Sequence, residues 1–453
     1  MKKWIIIILA VLITGGLIAA LIVVKNIEKE ENEGKKVESV EEFLSCMEEY
    51  CRKIQLTCDL DFSGYEWVPM DRDMRINGNG YQLANITVNA DDGDNIGMII
   101  GDSRTIVELE NVKITNLVVN YNGTGKNIGG IAGSLGDLTL KNVEISGEVN
   151  APAAENVGGI AGYCEYISNE NTNIQVDVDV LGGENVGGAI GKYFNNYGYS
   201  IENIHNKGDV QALKAAAGGV VGNADTDGDK KLEIGIINCS NEGDIQAKSY
   251  VGGIVGIVQQ VKVENCTNSG DVKAIGLYNP NTYESNAGGI IGGSLQADIF
   301  ACTNSGKITG EYDCVGGIAG NAGSTDRNYN GDDHRGENYS SNKNTGSVQG
   351  RDHVGGILGK CYGKNAQMIT TNENTGDVRG ASNVAGIVGY LGNHKDTKVV
   401  YCKNSGNIES TISRVAAFIG RTPRGNFEEM DTNTNTGSIT GAIVDAKYHI
   451  VED

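Results

Sequence analysis

Apolar residues along this chain come in short runs separated by glycine, asparagine and charge, except in one place. From Trp4 to Val24 no charge intervenes, and only Thr14, Gly15 and Gly16 interrupt the stretch. As a helix it would span ~30 Å, the thickness of a bilayer's hydrocarbon core. A cleaved signal has an apolar centre of roughly 7–15 residues and a small-residue cleavage site, whereas this stretch is longer and exits through Leu21–Lys25 without one. Residues 1–25 are expected to be an uncleaved transmembrane anchor. Lys2 and Lys3 favour a cytoplasmic N-terminus, which puts a single-pass chain in the cell membrane with its bulk extracellular.

Residues 26–38 are charged and poor in apolar side chains, so they read as a solvated stalk. Ser39 followed by Glu42 is a capping-box pattern, and Val40, Phe43, Leu44 and Met47 fall on one face of the helix it would start. That helix is expected to run to about Arg52, with the first strand, Ile54 to Leu60, against its apolar face, which makes 39–58 a cap.

Beyond it one phrase recurs: a β-branched or small residue, Gly-Gly, an aliphatic, a small residue and Gly. It starts at Ile128, Val157, Val186, Ala217, Val251, Ala287, Val315 and Val354, with degenerate copies at Ile96, Val384 and Val415. A second phrase, Asn-x-Gly, follows the later copies at Asn206, Asn241, Asn268, Asn304, Asn344, Asn374, Asn404 and Asn435. These apolar runs are too short for helices and are punctuated by turn formers, so each unit of roughly 30 residues reads as short strands joined by turns. One such unit cannot bury its own apolar side, but stacking on the next does so.

The expectation for residues 59–453 is an all-β parallel β-helix, a solenoid of about eleven turns. In-register stacking would align the eight asparagines as a structural ladder of side-chain amides, with Asn and Gly chosen for their tolerance of left-handed backbone. Cys239, Cys266, Cys302 and Cys402 each sit two residues before a ladder Asn and are expected to form a buried thiol stack. Cys46, Cys51 and Cys58 lie at the cap, where a disulfide between helix and first turn suits an outward-facing chain.

Composition narrows the function classes. A net charge of -21 repels phosphate backbones, so no nucleic-acid partner is expected. With 65 glycines but no every-third-residue rule, collagen is excluded. No CxxC spacing and no His-Glu-x-x-His motif is present.

The Gly-Gly-aliphatic-x-Gly phrase resembles the GLUG motif of bacterial surface proteins, a repeat also seen in some immunoglobulin A peptidases. Leu56 to Asp61, Trp67-Val-Pro69, Ile76 to Gly80 and Leu83 to Ile86 resemble that family's opening segment. The resemblance covers about Val40 to Gly441 and implies a right-handed parallel β-helix on a cell envelope. The peptidase motif is absent from this chain.

Chemistry is expected where the unit lengthens, because the excess must leave the stacked body as loops at one corner. Asp326, Asn328, Asn330, Asp332 and Glu337 satisfy the spacing of a calcium loop, D-x-[DN]-x-[DN]-G-x5-E, and Asp225, Asp227 and Asp229 form an imperfect relative. Calcium is the one cofactor suggested. Two loops mix rings with amides, Tyr193, Phe194, Tyr197 and Tyr199 in one and Tyr278 and Tyr283 in the other, a combination suited to ligand binding on sugars or peptide. No catalytic constellation is legible. The expected function is a membrane-anchored, non-enzymatic binding or display scaffold, an adhesin whose partner is an extracellular glycan or a host or matrix protein. The alternative is a polysaccharide-active β-helix enzyme of the lyase or hydrolase type.

Overall fold

The computed structural model describes residues 34–49, 51–102, 104–168, 172–195, 198–226, 234–276, 285–323, 336–362, 366–392, 396–422 and 430–444. Among them no helix is long and apolar enough to cross a membrane, and the anchor expected at 1–25 lies outside them.

A cap opens the fold. Helix α1 spans Val40–Glu48; its N-cap Ser39 Oγ accepts from Glu42 N–H at 3.2 Å, and the Glu42 carboxylate reaches back past the cap to accept from Glu38 N–H at 2.8 Å. Val40, Phe43, Cys46 and Met47 are buried. Phe43 meets the rings of Phe62 and Trp67 with centroids 5.5 and 6.1 Å away, so the partner of this face extends past the first strand. The helix stops at Glu48, short of Arg52, because Cys51 N–H turns back to Cys46 O and a Cys46–Cys51 disulfide closes the exit. Cys58 stays a free thiol, so helix and first coil are not cross-linked. The stalk expected to reach residue 38 ends earlier, since Lys35–Val37 pairs with Ile54–Leu56 and belongs to the body.

That body is an all-β parallel solenoid of about ten coils. The first phrase copy contributes the two-residue strand Asn95–Ile96, in register with Asn127–Ile128, and a bridge at Ile99. A mature coil has five strand rows. The Gly-Gly row runs from Asn95–Ile96 through strands such as Asn156–Gly158, Tyr250–Gly252 and Ser382–Ala385 to the end of Ile408–Ala416. A second row follows it around the tight turn, with strands such as Ala161–Ile167, Val255–Gln259 and Leu358–Cys361. A lateral row forms its own seven-stranded sheet from Ile201–Glu202 to Lys398–Val400. The Asn row holds Ile204–Asn206 to Thr434–Asn435, and an exit row starting at Val210–Ala212 leads into the next coil. Every pairing is parallel and links one coil to its neighbour, as in Val251↔Ala287 and Asn268↔Asn304. Alternate residues point inward, so Val210, Ile245, Val272 and Ile308 form one buried file of a continuous core.

The ladder asparagines bond in series. Each side-chain N–H donates to the Oδ1 of the next coil's Asn, from Asn206 to Asn241 (2.7 Å) and on through Asn268, Asn304, Asn344, Asn374 and Asn404 to Asn435 (2.7 Å). Each also donates to the carbonyl of the Gly two residues later, as Asn268 does to Gly270 O at 2.8 Å. Left-handed backbone is not the reason for these residue types. Positive φ falls instead at the preceding corner, at Asn203, Asn238, Asn265, Ala301, Ser341, Thr371 and Tyr401. The Gly of Asn-x-Gly is needed for room, since a Cβ on Gly270 would lie 1.9 Å from Gly243 O.

Cys239, Cys266, Cys302 and Cys402 are buried free thiols. Burial pushes the Cys239 and Cys266 thiols well up and that of Cys402 to about 11. A third polar file lines the corner after the second row. Gln260 donates to Gln296 at 2.8 Å, Glu337 N–H to Gln367 at 3.0 Å and Gln367 N–H to Thr397 Oγ1 at 3.1 Å.

Candidate functional site

The exit row builds a long concavity. Its inward residues are apolar, so its outward residues form two parallel lines, Glu148, Asp179, Asp209, Asp244, Asp271 and Lys307 on one side and Asn150, Leu181, Gln211, Gln246, Lys273 and Thr309 on the other. Between them runs a trough of about 740 Å3. The acidic line is held in register by the backbone of the next coil: N–H groups of Asp209, Asp244, Asp271 and Lys307 donate to the preceding carboxylate at 2.8–2.9 Å. A charge-assisted bond of this kind fixes each carboxylate along the rod.

Thr309 also borders a second concavity of about 380 Å3, where Gln349, Arg351 and Arg379 continue the same face. The trough therefore grades from carboxylates at one end to Lys273, Lys307, Arg351 and Arg379 at the other. Arg379 pairs with Glu409 of the next coil at 3.2 Å, and Arg351 lies 5.7 Å from the Tyr312 ring.

Another pocket, of about 410 Å3, sits beside the second row, lined by Arg104, Ile106, Asp137, Glu165, Tyr166 and Tyr199. The Tyr166 and Tyr199 rings meet edge to face with centroids 4.0 Å apart.

Of the residues expected to bind ligand, Tyr199 thus lines a pocket. Tyr193 does not: its ring is fully buried and its hydroxyl donates to Tyr199 O at 2.8 Å, so it supports the corner from inside. Inward alternation along Ile190–Asn195 puts it there, and Phe194 beside it is half-buried. Tyr197, Tyr278 and Tyr283 lie outside the described residues, as do Asp326, Asn328, Asn330, Asp332, Asp227 and Asp229.

Glu337, the last residue of the calcium spacing, points into the core at 1% exposure. It accepts from Ser294 and Tyr339 hydroxyls, both at 2.9 Å, and burial raises its carboxyl pKa. This occupied side chain is not presented to a loop. Asp225 ends up within the strand Val221–Thr226, accepting from Thr226 N–H at 2.8 Å. Among the described residues no His, Cys, Asp and Glu cluster could hold a metal. The segments 227–233, 277–284, 324–335, 363–365 and 393–395, where the loops at one corner were expected, lie outside the described residues; in chain order 277–284 follows an exit-row strand and the others follow second-row strands.

One titratable cluster escaped the sequence reading. Asp313 is 3% exposed beside Asp352 of the next coil, and burial followed by that neighbouring carboxylate raises its pKa. His353 is lowered to about 4 by burial, against the pull of Asp352 and with the help of Lys360 and Arg421. Its ring meets that of Tyr390 at 5.0 Å. The available signal was Asp352-His353 standing where Asn156 and Asn185 open the phrase in other coils.

No curated protein and no solved structure matches the chain. A family model, the GLUG motif, matches residues 248–273, a stretch that holds both Val251-Gly-Gly and Asn268-Ser-Gly270. Both phrases recur in register in neighbouring coils, so the chain carries a GLUG motif within a repeating solenoid, consistent with a GLUG-motif repeat protein.

Proposed function

We propose that this chain is a membrane-anchored, outward-facing surface module that binds and displays without catalysis, holding an extracellular glycan or a matrix protein along the exit-row trough. The observation that carries the reading is the continuity of that trough across successive coils, from Glu148 to Thr309 and on to Arg379. A regular line of side chains one coil apart suits an extended polymer better than a compact ligand. The apolar stretch Trp4–Val24 would anchor the rod, and the Asp326–Glu337 segment remains a calcium proposal for its loop residues only.

A second reading has a specific observation in its favour. Lys273 and Lys307 stand beside Asp244 and Asp271 in one groove, the juxtaposition of acid and base that a polysaccharide-active enzyme would need. Binding of the chain to glycan and matrix-protein arrays tests both. Signal lost in an Asp209→Ala, Asp244→Ala variant supports the trough, and signal unaffected by it removes the trough as the site. Release of shortened product from a bound glycan would establish the enzyme.

A further inference from the structure

The pocket beside the second row presents a carboxylate among aromatic rings. Asp137 lies in the strand Ala132–Ala151, paired with Ile106 on one side and Tyr166 on the other. Its Oδ1 is buried and has no hydrogen-bond partner among the described residues. The carboxylate as a whole is half-buried and lines the pocket, so its negative charge is presented to a ligand there although Oδ1 itself is enclosed.

The surrounding charges select the kind of ligand. Arg104 at the rim is held by Asp102 at 2.7 Å, and Arg75 by Glu108 at 3.3 Å, so the nearby cations are already paired. Glu165 adds a second carboxylate to the lining and accepts from the Tyr163 hydroxyl at 3.5 Å. Tyr166 and Tyr199 supply ring faces, with their planes at 63°. Carboxylates and electron-rich rings without an uncommitted cation favour a positively charged group and repel an anion. A volume of about 410 Å3 with two ring walls fits a saturated ring more fully than a thin alkyl chain.

We infer that this pocket binds a protonated amino sugar, with Asp137 as the counter-ion of its ammonium group and the Tyr166–Tyr199 pair as the wall against which the sugar ring packs. The site is separate from the exit-row trough, and its test does not depend on that reading.

The test is calorimetric or ligand-observed NMR titration of the full chain, below neutral pH, with glucosamine, glucose, N-acetylglucosamine and Nα-acetyl-lysine methylamide. Glucosamine is expected to bind saturably, and the two uncharged sugars about tenfold more weakly or not at all. Asp137→Asn and Tyr199→Ala should each weaken glucosamine by about tenfold, while Tyr199→Phe, which keeps the ring, should retain it. Equal binding of glucose or N-acetylglucosamine, tighter binding of the lysine derivative, no binding of glucosamine, or an unaffected Asp137→Asn variant would each overturn the inference. The comparison among ligands uses the unaltered chain, so it decides the matter even where a variant fails to fold.

Discussion

A side-chain carbon placed on Gly253 would lie 2.3 Å from Cγ of Asn268. The same conflict pairs Gly219 with Asn241, Gly289 with Asn304, Gly317 with Asn344 and Gly356 with Asn374. The two phrases are therefore one unit: the second glycine of Gly-Gly vacates the space that the ladder amide fills. Gly386 keeps this role in the degenerate copy that starts at Val384 and faces Asn404. The position is Met98 in the first copy, which no ladder Asn faces, and Ala417 in the last, where the ladder's final member, Asn435, is half-buried instead of enclosed.

Gly253→Ala should then cost about 2–3 kcal/mol, because the new methyl meets both Asn268 and, at 2.2 Å, Gly289 O, neither of which can retreat from a stacked coil. Urea denaturation of the variant beside the parent chain measures it. A midpoint equal to that of the parent would show that the coils part easily, and the account of the glycines would fail.

Position along the ladder sets the cost of losing a rung. Replacing Asn304 by Val removes the bond it receives from Asn268 and those it gives to Asn344 and Gly306. Asn206 is the open end, stacked on Val176, and its Oδ1 is buried without a partner. Asn206→Val removes only two donated bonds and also eliminates that orphan. The interior substitution should cost about 3 kcal/mol and the terminal one about 1 kcal/mol. Equal losses of thermal stability would mean that the rungs act independently of their neighbours.

Glu337 occupies a file whose other members include Gln260, Gln296 and Gln367. Its raised pKa means that the folded state favours the protonated carboxyl, so the stability it contributes is full below the unfolded carboxyl pKa and is lost as pH rises through the folded value. Glu337→Gln keeps the shape and removes the charge. The variant should match the parent in acid and exceed it increasingly as pH rises. A constant difference across the range would show that ionisation at this position is not the cause.

Why the rod was legible and the pockets were not follows from where the constraint lies. Residues such as Gly253, Asn268 and Val272 meet the same neighbour in every coil, so each unit repeats the same demand and the pattern is visible in one chain. Asp137, Tyr166 and Tyr199 come from three successive coils; Asp137 and Tyr166 meet as register partners, and Tyr199 joins them from beyond the second row of the next coil, outside the two phrases. Nothing in their spacing marks that meeting. Glu337 misled for the opposite reason: it completed a linear spacing, while inward alternation next to Tyr339 committed its side chain to the core. The end of α1 was missed because a disulfide between Cys46 and Cys51, rather than a helix-breaking residue, sets the exit.

Thiol chemistry gives a direct check on the stack. Cys58 is the one free cysteine among the described residues that is not buried. Burial also raises the Cys164 and Cys314 thiols to about 12, and only the thiolate attacks an alkylating reagent. In the native chain iodoacetamide should label Cys58 alone within minutes, and mass spectrometry should find the other seven free thiols modified only after denaturation. Rapid native labelling of Cys266 would contradict its place inside the rod.

His353 provides an acid-dependent test at the opposite end of the rod. Its pKa falls from an ordinary value near 6.5 to about 4 on folding, chiefly through burial, so between those values the unfolded chain binds the proton that the folded chain refuses. Stability from this residue is complete above about pH 6.5 and declines as the pH drops toward 4. The neighbouring Asp313, with its raised pKa, acts in the other direction and cannot produce the same loss. Asn383 fills the equivalent position one coil later, so His353→Asn places an uncharged residue already accepted there. The variant should lose less stability than the parent between neutral pH and pH 4.5, by something on the order of 2 kcal/mol in urea denaturation. If both chains weaken equally over that interval, protonation of His353 is not what opens this corner in acid, and the burial of its ring against Tyr390 would have to be looser than the 5.0 Å ring contact implies.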